Sequence, residues 1–299
     1  GFLGNSYLKN NSSAINSANP KPIKSVREII AEKKSNANFE NIKLFDFKNT
    51  DEKSKDLDKY VKSFTLLNLK KNNLMNLLYS QKENIILEIP LSEKSFLNLE
   101  LTKLPVLSDK FEVKMITENG IVPFEYKPGV YYRGIVKDNP KSTVAISIFE
   151  NSVIGVISDE TGNYNLGVLK DDKSGESYIY YNERNLLVKN KFKCGVDDIG
   201  KMRLNSGTHT SQNHNDNISA RLPVRTYFVA DYQMYLDFSS STANVTNYIT
   251  GVFNEVTTIY QNDFLPVQIS SIYVYTTPDP YRNLLDPEYI LYDFADNTK

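Results

Sequence analysis

The 299 residues hold 35 lysines and arginines against 36 aspartates and glutamates, and 40% of them are apolar. A balance this close to neutral argues against a basic nucleic-acid footprint or an acidic field, and no apolar run approaches the ~20 residues that cross a bilayer as a helix. Twenty tyrosines and fifteen phenylalanines without a tryptophan favour sheet-rich packing, and the length suits about two domains.

Residues 1–62 are rich in Asn, Lys and Ser, open on "GFLGNSYLKNNSS" without an initiator methionine, and read as a flexible leader. "GFLG" is compatible with the last scrap of a signal peptide. Within the leader, "KPIKSVREIIAEKK" sets Val26, Ile29 and Ile30 on one face of a short helix. From Phe64 the texture changes. "FTLLNL" alternates as a strand, and "KKNNLMNLLYSQ" puts Leu74, Leu77 and Leu78 at helical spacing. Short runs follow at intervals of about ten residues, among them "NIILEIPL", "KFEVKMI", "VYYRGIVKDNP", "STVAISIFEN", "SVIGVISDETG" and "ESYIYYNE", each bounded by Gly, Asn, Asp or Pro. That rhythm predicts a β-rich block over 63–190, a sandwich or open barrel.

Residues 199–221 carry no periodicity and read as an exposed linker with Lys201, Arg203 and Arg221 open to trypsin-like cleavage. A second block spans 222–299. "LPVRTYFVAD" predicts a strand; "STANVTNYITGVFNEVTTIYQNDFLP" predicts a long helix capped by Ser241 or Thr242 and ended before Pro266. Its Val245, Tyr248, Ile249, Val252, Phe253, Val256, Ile259 and Tyr260 form a wide apolar stripe. "VQISSIYVYTT" returns as a strand, which makes a β-α-β unit with a parallel pair. The fold class expected overall is α+β. The chain closes on "YILYDFADNTK" with apolar residues still to be partnered, and is expected to be a piece of something longer.

Motifs that carry chemistry are scarce. HExxH, GxSxG, the P-loop and GxGxxG are all absent, and both histidines, His209 and His214, fall in the linker, where solvated polar side chains are the ordinary reading. Carboxylates sit in turn contexts such as "SDETG". Cys194, in "KFKCGVDD", is the sole cysteine. It has no intrachain disulfide partner, so it fills a core, sits idle, or meets a partner that is not a cysteine. Cysteine scarcity does not fix the compartment.

The order of the blocks gives Cys194 a context. "FTLLNLKKNNLMNLLYSQ", "IILEIPLSEKSFLNLELTKLPVLSDKF" and "YRGIVKDNPKSTVAISIFENSVIGVISDETGNYNLG" resemble the propeptide of bacterial reprolysin (adamalysin) family metzincin zinc proteases. "VRTYFVADYQMY" and "VTNYITGVFNEVTTIYQNDFLPVQISSIYVYTTPDPY" look like the first strand, first helix and second strand of that family's catalytic domain. The resemblance covers roughly residues 64–285. It implies a latent precursor of a zinc-dependent metalloendopeptidase, secreted or on the cell surface of a bacterium, with 191–221 as a cysteine-switch segment. Cys194–Gly195 then matches the family's Cys-Gly context, and its thiolate, at ~2.3 Å, would displace the nucleophilic water from the zinc. Gly195 would let the backbone enter a narrow cleft. Zn2+ is the implied cofactor, held mainly by residues outside this chain. The implied partners are a peptide or protein substrate of the mature enzyme and the propeptide's own catalytic domain, with no nucleic acid and no membrane span.

Departures limit what carries over. The HExxHxxGxxH zinc helix is missing from the 299 residues and is expected beyond them, so this chain alone should be inactive. Where some relatives carry a calcium-binding glutamate, Arg225 and Thr226 stand, and calcium is not carried over. Asp231 and the prolines Pro278 and Pro280 are assigned structural roles. Asn217 and Asn244 are formal sequons expected to carry nothing. The rival reading is a non-catalytic secreted β-sandwich that binds carbohydrate or protein through surface tyrosines such as Tyr131, Tyr132, Tyr180 and Tyr181.

Overall fold

The computed structural model describes residues 22–49, 52–169, 172, 174–188, 222–281, 290 and 294. Cys194, His209, His214, Lys201, Arg203, Arg221 and Asn217 lie outside the described residues. Over the described residues the molecule is β-rich with a few helices, an α+β arrangement built on one ten-stranded and one four-stranded sheet.

Residues expected as a leader enter the fold at once. Helix α1 (Val26–Asn36) begins at a capping box in which Ser25 and Glu28 bond each other's backbone N–H. Val26 and Ile30 are buried with Ile135 and Phe39. Strands β1 (Glu40–Ile42) and β2 (Phe45–Lys48) follow. The flexible-leader assignment for 1–62 is therefore corrected over 22–48. The sequence signal was weak because strands of three and four residues are too short to show a period.

The next strands are β3 (Phe64–Leu69), β4 (Asn84–Pro90) and β5 (Phe96–Lys103), with helix α2 (Lys71–Ser80) after β3. Beyond them run β8 (Val130–Val136), β9 (Asn139–Ile148), β10 (Val153–Asp159), β11 (Gly162–Val168) and β12 (Ser177–Asn182). Tight turns join many of them. The β10–β11 turn places Gly162 at φ +141° and uses the Asp159 carboxylate to accept from Thr161 N at 2.8 Å. The sheet order is β1-β4-β5-β8-β9-β10-β11-β12-β3-β2. Its two edge strands are thus neighbours in sequence. From Ile42 to Phe45 the chain can advance only ~11 Å, so the sheet curls until its edges approach, an open barrel. Leu44, Leu67, Ile85, Leu99, Tyr132 and Tyr178 fill it, and Leu74 and Leu77 of α2 join the same core.

Two strands of the first block leave this sheet. Strands β6 (Leu107–Thr117) and β7 (Gly120–Phe124) form a hairpin that joins β13 (Val224–Ala230) and β14 (Val267–Tyr275) in the order β13-β14-β6-β7. The pairs β13–β14 and β14–β6 are parallel, and β6–β7 is antiparallel. The expected parallel β-α-β pair is present, and the first block covers the second edge of β14. At the outer edge, Pro123 removes a donor from β7, a device that discourages further strand addition.

Between β13 and β14 lie α3 (Tyr232–Asp237) and α4 (Thr242–Asn262), the latter capped by Ser241 as expected. Helix α4 is packed between the convex face of the barrel and the four-stranded sheet. Its predicted stripe holds only in part: Val245 and Phe253 are buried, whereas Tyr248, Ile259 and Tyr260 are exposed. The adjoining face, Thr242, Thr246, Thr250, Asn254 and Thr258, is buried instead. Threonine hydroxyls can be buried here because they bond carbonyls of their own helix, Thr246 to Thr242 O and Thr250 to Thr246 O at 2.8 Å, and Thr258 to Asn254 O at 2.6 Å. What they offer the barrel is their methyl groups. Gly251 completes the contact, since a Cβ there would lie 2.8 Å from the Ile154 Cδ1.

Because Ile30 is fully buried, Ile30→Ala is expected to lower unfolding free energy by about 2–4 kcal/mol. A urea titration checks this; a flexible leader would leave the midpoint unmoved.

Candidate functional site

The chemistry-bearing residues among those described gather at the seam between the barrel and α4. Strand β8 has one face inside the barrel and the other under α1 and α4, so nearly every residue in it is buried. Arg133 lies on the outer face and is 3% exposed. Its Nε donates to Asn254 Oδ1 at 2.9 Å and one terminal nitrogen donates to Pro105 O at 3.0 Å. No carboxylate pairs with it among the described residues; the neighbouring buried Glu100 is taken by Lys34 at 2.8 Å. Burial pushes the Arg133 guanidinium down to about 9, which leaves it charged at neutral pH. Asn254 also donates to Ser147 Oγ at 3.1 Å, Tyr132 O at 3.2 Å and Ile146 O at 3.3 Å. One amide on the second block therefore accepts from a buried cation and shares its two hydrogens among three acceptors on the first.

Three further side chains line the seam, Tyr126, Tyr131 and Glu255. Tyr126 donates to Asn247 Oδ1 at 2.8 Å, while the Tyr131 hydroxyl is buried without a hydrogen bond, and burial raises it well above the ordinary tyrosine value. Glu255 of α4 is half-buried, and desolvation, with the Glu183 carboxylate adding to it, pushes its carboxyl up to about 7. Glu183 itself accepts from Asn163 and Asn165 at 3.3 and 3.2 Å.

Two cavities open nearby. One, about 750 Å³, lies at the carboxyl ends of β13 and β14 among Tyr227, Tyr232, Met234, Tyr275 and Tyr281, the end of a parallel sheet where ligands commonly bind. Asp279 fixes its wall: nearly buried, it accepts from Tyr232 N at 2.9 Å and Tyr281 N at 2.8 Å. The other, about 970 Å³, runs between the barrel and the α3–α4 turn, with Glu150, Asp172 and Asp237 on its rim. Asp172 is committed to its own loop: it accepts from the backbone of Ser174, Glu176 and Ser177, which holds its carboxyl below the usual carboxylate range.

Asp231 caps α3, accepting from Met234 N at 2.7 Å, the structural role assigned to it. Arg225 is exposed and Thr226 donates to Gln268 O at 3.0 Å. Asn244 stands in the first turn of α4 with its amide donating to Phe238 O. Tyr131, Tyr132 and Tyr180 are buried and Tyr181 is half-buried, so the ligand-stacking surface of the rival reading is corrected: these rings pack the protein itself. Catalytic zinc needs three protein ligands with an open fourth position. Among the described residues no group of three or more His, Cys, Asp or Glu could hold a metal. They do not form a zinc site, and no bond-making step is assigned to them. Arg133 and Asn254 were missed, although an arginine inside the apolar run "VYYRGIV" was the available signal.

No protein-family model and no curated protein matches the chain. Among solved structures, metalloproteinase-II from Bacteroides fragilis is similar at 10% identity and a TM-score of 0.27, over 79% of this chain and 60% of that one. The chain thus spans about 60% of that protein's length. Likeness at this level assigns neither family nor activity.

Asn254→Ala is expected to destabilise the protein by about 2–4 kcal/mol, because it strands a buried cation and buried carbonyls; chemical denaturation measures it. Glu255→Gln tests the opposite sign. A carboxyl raised in the folded state binds its proton more tightly there, so its penalty is absent below the ordinary value of 4.5 and grows as pH rises through about 7. The variant is expected to match the parent in acid and to melt higher than it above neutrality.

Proposed function

We propose that the chain is the latency-bearing front part of a secreted or cell-surface zinc-dependent metalloendopeptidase precursor of the reprolysin type. The barrel block is the propeptide, Cys194 is the switch residue, and residues 222–299 open the catalytic domain. The observation that carries this reading is the grip of the first block on the second. The β6–β7 hairpin extends the sheet of β13 and β14 in register, Ile272 beside Val113 and Val274 beside Met115, while the barrel surface holds α4 by the Arg133–Asn254 bond. A block that completes a neighbour's sheet and core acts on that neighbour's folding and access, as a propeptide does. An independent binding module would need neither contact. Separation of the two blocks by a segment with tryptic sites, with Cys194 at its head, supports the same assignment.

Zn2+, the expected cofactor, belongs to residues other than those described, and the peptide substrate to the mature enzyme. Cys194→Ala in the intact precursor is expected to raise peptidase activity on a casein substrate before any processing. Activity equal to that of the unprocessed parent would remove the switch from the reading.

A further inference from the structure

The seam between the blocks is built like the inside of a domain. One core cluster joins Val106, Tyr131 and Phe149 of the first block to Ala230, Val245, Phe253, Val267, Ile269, Ile272 and Val274 of the second. Across it Ile269 N donates to Val106 O at 2.9 Å and Thr276 N to Ile116 O at 3.0 Å, at the two ends of the β6–β14 ladder. The hairpin is rooted at both of its own ends, by Leu104 N on Tyr131 O at 3.0 Å before β6 and by Tyr126 on Asn247 after β7. Helix α1 adds a third hold, with Val26 N donating to Asn262 Oδ1 at 3.0 Å. None of these contacts involves the segment that connects the blocks.

We propose that the two blocks are a non-covalent pair, so that cutting the segment 189–221 nicks the protein without separating it. Release of the first block then requires a second event, a cut within residues 22–188 that breaks the hairpin or the barrel beneath α4. This goes beyond the protease reading and holds whatever chemistry the second block serves. The surface that recognises the second block is the parallel edge of β6 together with Arg133, a ladder for register and a buried cation for specificity. Shared apolar core sets the strength, as in obligate interfaces. Loss of the tether removes the effective concentration that linkage supplies.

The test places a recognition sequence for a sequence-specific protease between Ser206 and Asn215 of the full chain. After complete cutting, the two fragments are expected to co-elute from a sizing column at the position of the uncut protein and to part only in denaturant. Two separate native peaks at micromolar concentration would overturn the proposal. Asn254→Ala in the same background should elute normally while uncut, then shed its first block on the order of 100-fold faster than the cut parent. If that variant fails to fold, Ser147→Ala replaces it, with release expected severalfold faster. Release at the parent's rate would remove Arg133 and Asn254 from the recognition surface.

Discussion

A parallel strand pair cannot stand by itself, because each strand presents unpaired backbone along its free edge and both faces need cover. β13 and β14 meet this constraint with material from elsewhere in the chain. β6 pairs along β14, and α4 covers the face carrying Val267, Ile269, Ile272 and Val274. Since α4 itself lies against the barrel, the barrel supplies the surface, the hairpin supplies the strand, and the second block packs between them.

The polar chemistry of the seam follows from that geometry. A helix held between two sheets has no water on its inner face, so the polar residues on that face must be satisfied internally. Threonines accomplish this by bonding back to their own helix, and Asn254 does it by bridging to Arg133, Ser147 and two barrel carbonyls. Burying a guanidinium without a carboxylate is expensive unless its donors are met by good acceptors. Such a bond adds little net stability but heavily penalises any misplacement of α4. It fixes the register of the helix on the barrel where apolar packing alone would tolerate sliding.

Much of this was legible in the sequence, for physical reasons that vary by element. The barrel strands were visible through turn residues recurring between apolar runs, and α4 through its length, its Ser241 cap and Pro266. The β13-α4-β14 order gave the parallel pair. Three things were hidden. Strands β1 and β2 are too short to show alternation. The departure of β6 and β7 to another sheet leaves no local mark, because alternation tells which face a residue takes and not which sheet it joins. The buried face of α4 was assigned to its apolar stripe, since threonine counts as polar until its hydroxyl is seen bonded to its own helix. The expected switch residue, Cys194, falls outside the described residues, so its role rests on sequence resemblance and on the grip of the flanking blocks.

The second block's sheet is held by a strand of the first. Native-state hydrogen exchange reads this at the amides of β14 from Ile272 to Tyr275 and of β6 from Val113 to Ile116, paired in the structure. If the account holds, both sets share one protection level and one dependence on denaturant, opening together as a cooperative unit. Protection of β14 that persists while β6 exchanges freely would contradict it.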